Sequence, residues 1–143
     1  MPMPVWMLLG FAAWTVLLLL FTVGVYRWSR ILTARAQLSE FRADPVEGED
    51  WYRRATRAHA NCIENLPVFG AIVFALFVSR VGGPTVDALS IVVLIARVMQ
   101  SLVHVSFVQT NSVVAVRFTL FCLQVASFLL LITMIVRFAE HAG

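Results

Sequence analysis

Two long stretches of the chain carry no charge, Val5 to Tyr26 and Phe118 to Val136. Each can cross a hydrocarbon core of about 30 Å as a helix, which takes about 20 residues. Between them lie two less pure stretches. Asn65 to Ser79 is uncharged but would cover only about 22 Å as a helix. A second span must therefore recruit Glu64, Asn61 and His59, and it is predicted over about 57–79. A third is predicted over about 88–109 and holds Arg97 and His104 inside it. In lipid only helices or a closed barrel satisfy the backbone, and runs of this length favour helices. The pattern therefore predicts an all-α integral membrane protein, a four-helix transmembrane bundle forming one domain over residues 1–143, with spans near 5–26, 57–79, 88–109 and 118–136.

Composition agrees. Of 143 residues 60% are hydrophobic and 13% charged, against about 45–50% and about 25% in ordinary soluble domains. With a mean hydropathy of +0.85, neither a water-soluble globule nor a disordered chain fits. The net charge of +3 comes with 11 cations, all arginine. A nucleic-acid footprint needs a basic face on a soluble fold, so no nucleic-acid partner is expected. Cys62 and Cys122 stand alone in apolar surroundings and read as buried, reduced small hydrophobes. No metal site is expected. The N-terminus lacks a basic flank and an A-x-A site, and its apolar run is too long for a signal peptide. It reads as a retained first span.

Three connections follow. The first, 27–50, is long and polar, with Asp44-Pro45 and the acidic run Glu47-Gly48-Glu49-Asp50, whose Asp50 is placed to cap the second helix. The second, Arg80 to Asp87, holds Gly82-Gly83-Pro84 and reads as a tight turn. The third, Thr110 to Val116, is short. Seven arginines (Arg27, Arg30, Arg35, Arg42, Arg53, Arg54, Arg57) crowd the first connection and its flank. The positive-inside rule places that side in the cytoplasm, with both termini opposite.

Ionisable groups at membrane depth are costly and face the bundle interior. At 100° per residue, Arg54, Arg57, Asn61 and Glu64 fall within an arc of about 80° on the second helix, and Arg97, Gln100, His104 and Asn111 within about 60° on the third. The economical arrangement has the two stripes facing each other or a shared cleft. By depth, Glu64 and Arg97 can meet near mid-bilayer as an ion pair, with His104 and Arg57 one level nearer the cytoplasm. Arg117 enters at the start of the last helix, and Arg54 and Arg35 lie near the mouth. Such a cleft suits a polar anion, preferably with carboxylates, because the guanidinium fork grips them in pairs and stays charged when desolvated. A purely structural network tying the helices together is the other reading. His59, on the opposite face of its helix, reads as a helix-contact residue, and Pro67 as a kink inside the second span.

The run Arg57-Ala58-His59-Ala60-Asn61-Cys62-Ile63-Glu64-Asn65-Leu66-Pro67-Val68-Phe69 resembles the signature of the membrane-associated proteins in eicosanoid and glutathione metabolism, the MAPEG superfamily, and in particular its microsomal glutathione transferases. Chain length and the four-span layout are similar throughout. The resemblance implies a homotrimer with glutathione sites between neighbouring subunits, open to the cytoplasm. It also implies a glutathione-dependent transferase, or peroxidase, acting on lipophilic electrophiles in detoxification. Carried over by position, Arg57, Asn61 and Glu64 match glutathione-binding residues, as do Arg97, His104, Arg54 and Arg35, while Arg117 matches the arginine that stabilises the glutathione thiolate. His104 stands where many members have Tyr, Gln100 where several have His, and Phe118 follows Arg117, so no hydroxyl assists there. The connection between the third and fourth helices is longer than in the mammalian enzymes.

Other functional classes stay open. One is a non-catalytic lipid-binding member of the same superfamily. A second is a small proton-coupled multidrug transporter built on Glu64, disfavoured because arginines outnumber the acid. A third is a haem protein using His59 and His104, disfavoured because their helical faces differ.

Overall fold

A computed structural model of the chain describes residues 1–33 and 49–142. Four helices long and apolar enough to cross a membrane fill those residues: α1 (Met3–Leu32), α2 (Asp50–Ser79), α3 (Pro84–Ser106) and α4 (Asn111–Ala142). No strand occurs among the described residues. α1 contacts α2 and α3, α4 packs on α3 and α2, and α2 and α3 also touch. The bundle is thus a rhombus, with α1 and α4 at its far corners.

The turns follow from their residues. Arg80 ends α2 in the left-handed conformation at φ 56°, and the amides of Arg80 and Val81 close back on Phe77 and Leu76 at 3.3 and 3.1 Å. Gly83 at φ 124° then takes a conformation that only glycine holds without strain. Pro84 opens α3 at the first helical position, where its missing N–H costs nothing. At the other end Phe107 is extended and ends α3. The Thr110 hydroxyl accepts from the Val113 amide at 3.3 Å and caps α4.

Helix bounds differ from the sequence reading in informative places. α1 continues past Tyr26 to Leu32, because Tyr26 is buried there: its ring stacks on Tyr52 of α2 at 4.1 Å between centroids, and Arg27 donates to the Tyr52 hydroxyl at 2.7 Å. Asp50 lies inside the first turn of α2, not at the cap. Glu49 is the cap residue, and its side chain accepts from the Trp51 indole at 2.6 Å without capping a backbone amide. Asn111 begins α4 and is not on the third helix's stripe, because Phe107 breaks the helix before it. α2 runs through Pro67 as one helix. Arg35, Arg42, Asp44-Pro45 and Glu47 lie outside the described residues.

Phe69 of α2 fastens the core, with ring centroids 6.0 Å from Phe11 of α1 and 5.9 Å from Phe128 of α4. Leu131, Val93, Val86 and Cys62 are among the fully buried residues that pack with it. Midway along α1, Leu19–Gly24 widens into a π-helical turn. Gly24 permits it, since a Cβ there would stand 3.1 Å from the Leu19 carbonyl oxygen. Cys122 is exposed on the outside of the chain, a correction to the expectation of two buried thiols.

Candidate functional site

α3 carries its polar residues on the buried side. Arg97, Gln100 and His104, spaced three and four apart, share one face, as 3.6 residues per turn requires. Arg97 is 1% exposed. One Nη donates to the Gln124 amide oxygen of α4 at 2.5 Å, and its guanidinium carbon sits 5.7 Å from the centre of the Phe11 ring. Cys62 and Glu64 are the acidic or sulfur groups close enough to act on it. Ser101 donates to the Arg97 carbonyl at 2.9 Å, and its oxygen lies 3.3 Å from the Cys62 sulfur. Gln100 donates to the Arg117 carbonyl at 3.3 Å, which ties α3 to the second turn of α4.

α2 is different. Its face toward the bundle is made of Tyr52, Ala55, Ala58, Cys62 and Phe69. The small residues let α3 come close. Arg57 and Glu64, about 20° apart on the helix, both fall about 150° from the middle of that face, and both are exposed on the outside of the chain, with Asn61 half-buried beside them. The expected ion pair between Glu64 and Arg97 is therefore not formed. Among the described residues the ion pairs are Arg53 with Asp50, at 3.6 Å, and Arg54 with Asp50. The stripe of α3 turns toward α4, not toward the stripe of α2, because α2 meets α3 through its small-residue face.

The two stripes do converge at one level. Arg54, Arg57 and Arg117, from α2 and α4, all lie close enough to His104 of α3 to act on it electrostatically, and Arg57 also acts on Arg117. Arg54 is anchored by Asp50 and by a bond from its Nε to the Val105 carbonyl at 3.3 Å. Arg117 is half-buried, and its Nε is buried without a partner, as is the Gln100 amide oxygen. Three guanidiniums thus stand within electrostatic reach of one imidazole, and Asp50 is already engaged by Arg53 and Arg54. Chemically this is a place for an anion. Glu64, further along α2, supplies one acceptor for a cationic group. Arg35 cannot be placed, as it lies outside the described residues.

Gln124 went unnoticed in the sequence reading. It is 0% exposed and holds the most buried arginine among the described residues. Its signal was available: it is the one side-chain amide in the uncharged run Phe118 to Val136, and a lone amide at that depth needs a partner. His59 faces the Thr15 backbone of α1, away from the arginines. Among the described residues no group of His, Cys, Asp and Glu could hold a metal ion.

Compared with known families, the chain matches the model of the MAPEG family over residues 5–137. No curated protein and no solved structure matches it.

Proposed function

The chain belongs to the MAPEG family, and on that premise we propose that it is a membrane-bound glutathione-dependent transferase that joins the glutathione thiolate to lipophilic electrophiles. The observation that carries this reading is the anion-poor gathering of Arg54, Arg57 and Arg117 around His104. Glutathione has two carboxylates, one ammonium and one thiol. The arginines complement the carboxylates as bidentate donors, and Glu64 complements the ammonium. Asn61 adds an amide, and His104 orients the peptide by hydrogen bonding. Arg97, held by Gln124, closes the inner end of the cleft.

Arg117 is the group assigned to the sulfur. Its unpartnered Nε has a donor to offer, and a cation beside a thiol favours the thiolate. The thiol proton leaves to water. The sulfur lone pair then forms a C–S bond at the electrophilic carbon, and the leaving group departs with its bonding electrons, as chloride does from a chloronitroarene. Catalysis is positioning plus electrostatic stabilisation, with no covalent enzyme intermediate.

The same reading assigns the assembly. Glu64 and Arg57 lie exposed within the length of a membrane span, where hydrocarbon cannot solvate them. Copies of the chain arranged as a homotrimer would cover that face and complete each site. The arginine-rich end faces the cytoplasm by the positive-inside rule, where glutathione is supplied. Calorimetric titration of the detergent-solubilised protein with glutathione, paired with a conjugation assay, tests the proposal. Saturable binding with turnover supports it, and absence of binding refutes it.

A second reading is favoured by an apolar groove of about 260 Å³ between α1 and α3, lined by residues including Trp14, Leu18, Phe21, Leu102 and Val105. A non-catalytic lipid-binding member would use such a groove. Tight fatty-acid binding without thiol-dependent turnover selects it.

A further inference from the structure

A second cleft, of about 210 Å³, opens between the start of α2 and the turn joining α3 to α4. Asp50, Arg53, Arg54, Arg57, Val108 and Gln109 line it. Three guanidiniums meet one carboxylate there, and that carboxylate already serves Arg53 and Arg54. The lip is apolar: Phe107 and Val108, in the turn, are 56% and 64% exposed. The level along the bundle is marked as well. Tyr26, Trp51 and Tyr52 pack together at the same end of α2, and Trp28 is exposed nearby in sequence. Aromatic rings with a polar edge collect where hydrocarbon meets headgroups.

A basic pocket with a greasy rim at that level has one natural complement. We infer that this cleft binds the phosphodiester of an anionic phospholipid, with Arg53 and Gln109 on the phosphate oxygens and Phe107 and Val108 against the first carbons of the acyl chains. Guanidinium forks match phosphate oxygens in pairs, and arginines clustered beside a span attract anionic headgroups. Zwitterionic headgroups bring their own cation and gain less. Arg54 and Arg57 border both this cleft and the tripeptide site. Arg53 and Gln109 belong to this cleft alone, so the two assignments can fail separately.

The test uses the full chain in nanodiscs of equal phosphatidylglycerol and phosphatidylcholine, with retained lipid read by native mass spectrometry after release into mild detergent. Phosphatidylglycerol is retained preferentially by the wild type. Arg53→Gln lowers that preference about fivefold, the weight of one cation near an anionic surface, while circular dichroism and glutathione affinity stay unchanged. Inorganic phosphate at millimolar concentration leaves the lipid bound. Equal retention of the two lipids overturns the inference, as does an Arg53→Gln variant with undiminished preference. Displacement by inorganic phosphate would assign the cleft to a soluble phosphate, and displacement by glutathione would assign it to the tripeptide. Either outcome also overturns the lipid assignment.

Discussion

Replacing Gln124 with leucine should destabilise the protein more than replacing the arginine it holds. Arg97 is 1% exposed, and Gln124 supplies its acceptor at 2.5 Å. The guanidinium Nε already lacks a partner, so Gln124→Leu leaves a buried cation with the Phe11 ring and the pull of the Glu64 carboxylate as its remaining attractions. A hydrogen bond to a charged group contributes about 1.5–3 kcal/mol. Neutral bonds between membrane helices average about 0.6 kcal/mol. Because Arg97 is charged, the larger range applies, and Gln124→Leu should cost about 1.5–3 kcal/mol. Arg97→Met removes the charge and strands only an amide, which costs less. The double variant removes both partners and should recover much of the loss, since a charge pair can often be replaced by apolar side chains of similar size. Stability is read as reversible unfolding in mixed micelles, followed by tryptophan fluorescence. If the two single effects simply add in the double variant, or if Gln124→Leu changes stability by less than about 0.5 kcal/mol, a level usual for surface substitutions, then Gln124 does not hold the guanidinium.

Three other outcomes are expected. Arg117→Ala should lower conjugation of a lipophilic chloronitroarene by about a hundredfold or more, the usual cost of removing one preorganised donor, while the oligomer seen in size-exclusion chromatography persists; wild-type turnover would reject its assigned role. Glu64→Gln should weaken glutathione binding about tenfold, in line with losing one charge-assisted contact, and an unchanged dissociation constant in calorimetry would remove the ammonium assignment. Gly83→Ala should cost about 1–3 kcal/mol because its φ of 124° suits only glycine. Its neighbour Gly82→Ala, with open space at the Cβ position, should leave stability nearly unchanged, and equal effects from both would contradict the strain argument.

The helices themselves were legible from hydropathy and run length: uncharged runs as long as Val5 to Tyr26 and Phe118 to Val136 satisfy their backbone in lipid as helices. The rotation of each helix was legible only where a polar residue must hide. The stripe of α3 was read correctly through His104, and its inward face follows from the cost of exposing Arg97. The direction of the α2 stripe was not. In a soluble bundle, polarity marks the outside, but here lipid-facing and core-facing residues are equally apolar. What decides is the close approach allowed by Ala55, Ala58 and Cys62, a packing signal far weaker than charge. Gln124 was missed for a related reason, since one amide alters the hydropathy of a long apolar run very little. The ends of α1 and α3 were misplaced because their causes are tertiary or local, the Tyr26–Tyr52 stack in one case and the extended Phe107 in the other.

The stacked tyrosines of α1 and α2 have a practical corollary. Glu49 donates its amide to the Tyr26 hydroxyl at 3.4 Å, and Arg27 donates to the Tyr52 hydroxyl, so the end of α1 and the start of α2 are clasped by residues of the helices themselves. These contacts hold the two helices in register through their own residues. Replacing Tyr26 or Tyr52 by alanine should therefore loosen the end of α1 against the start of α2.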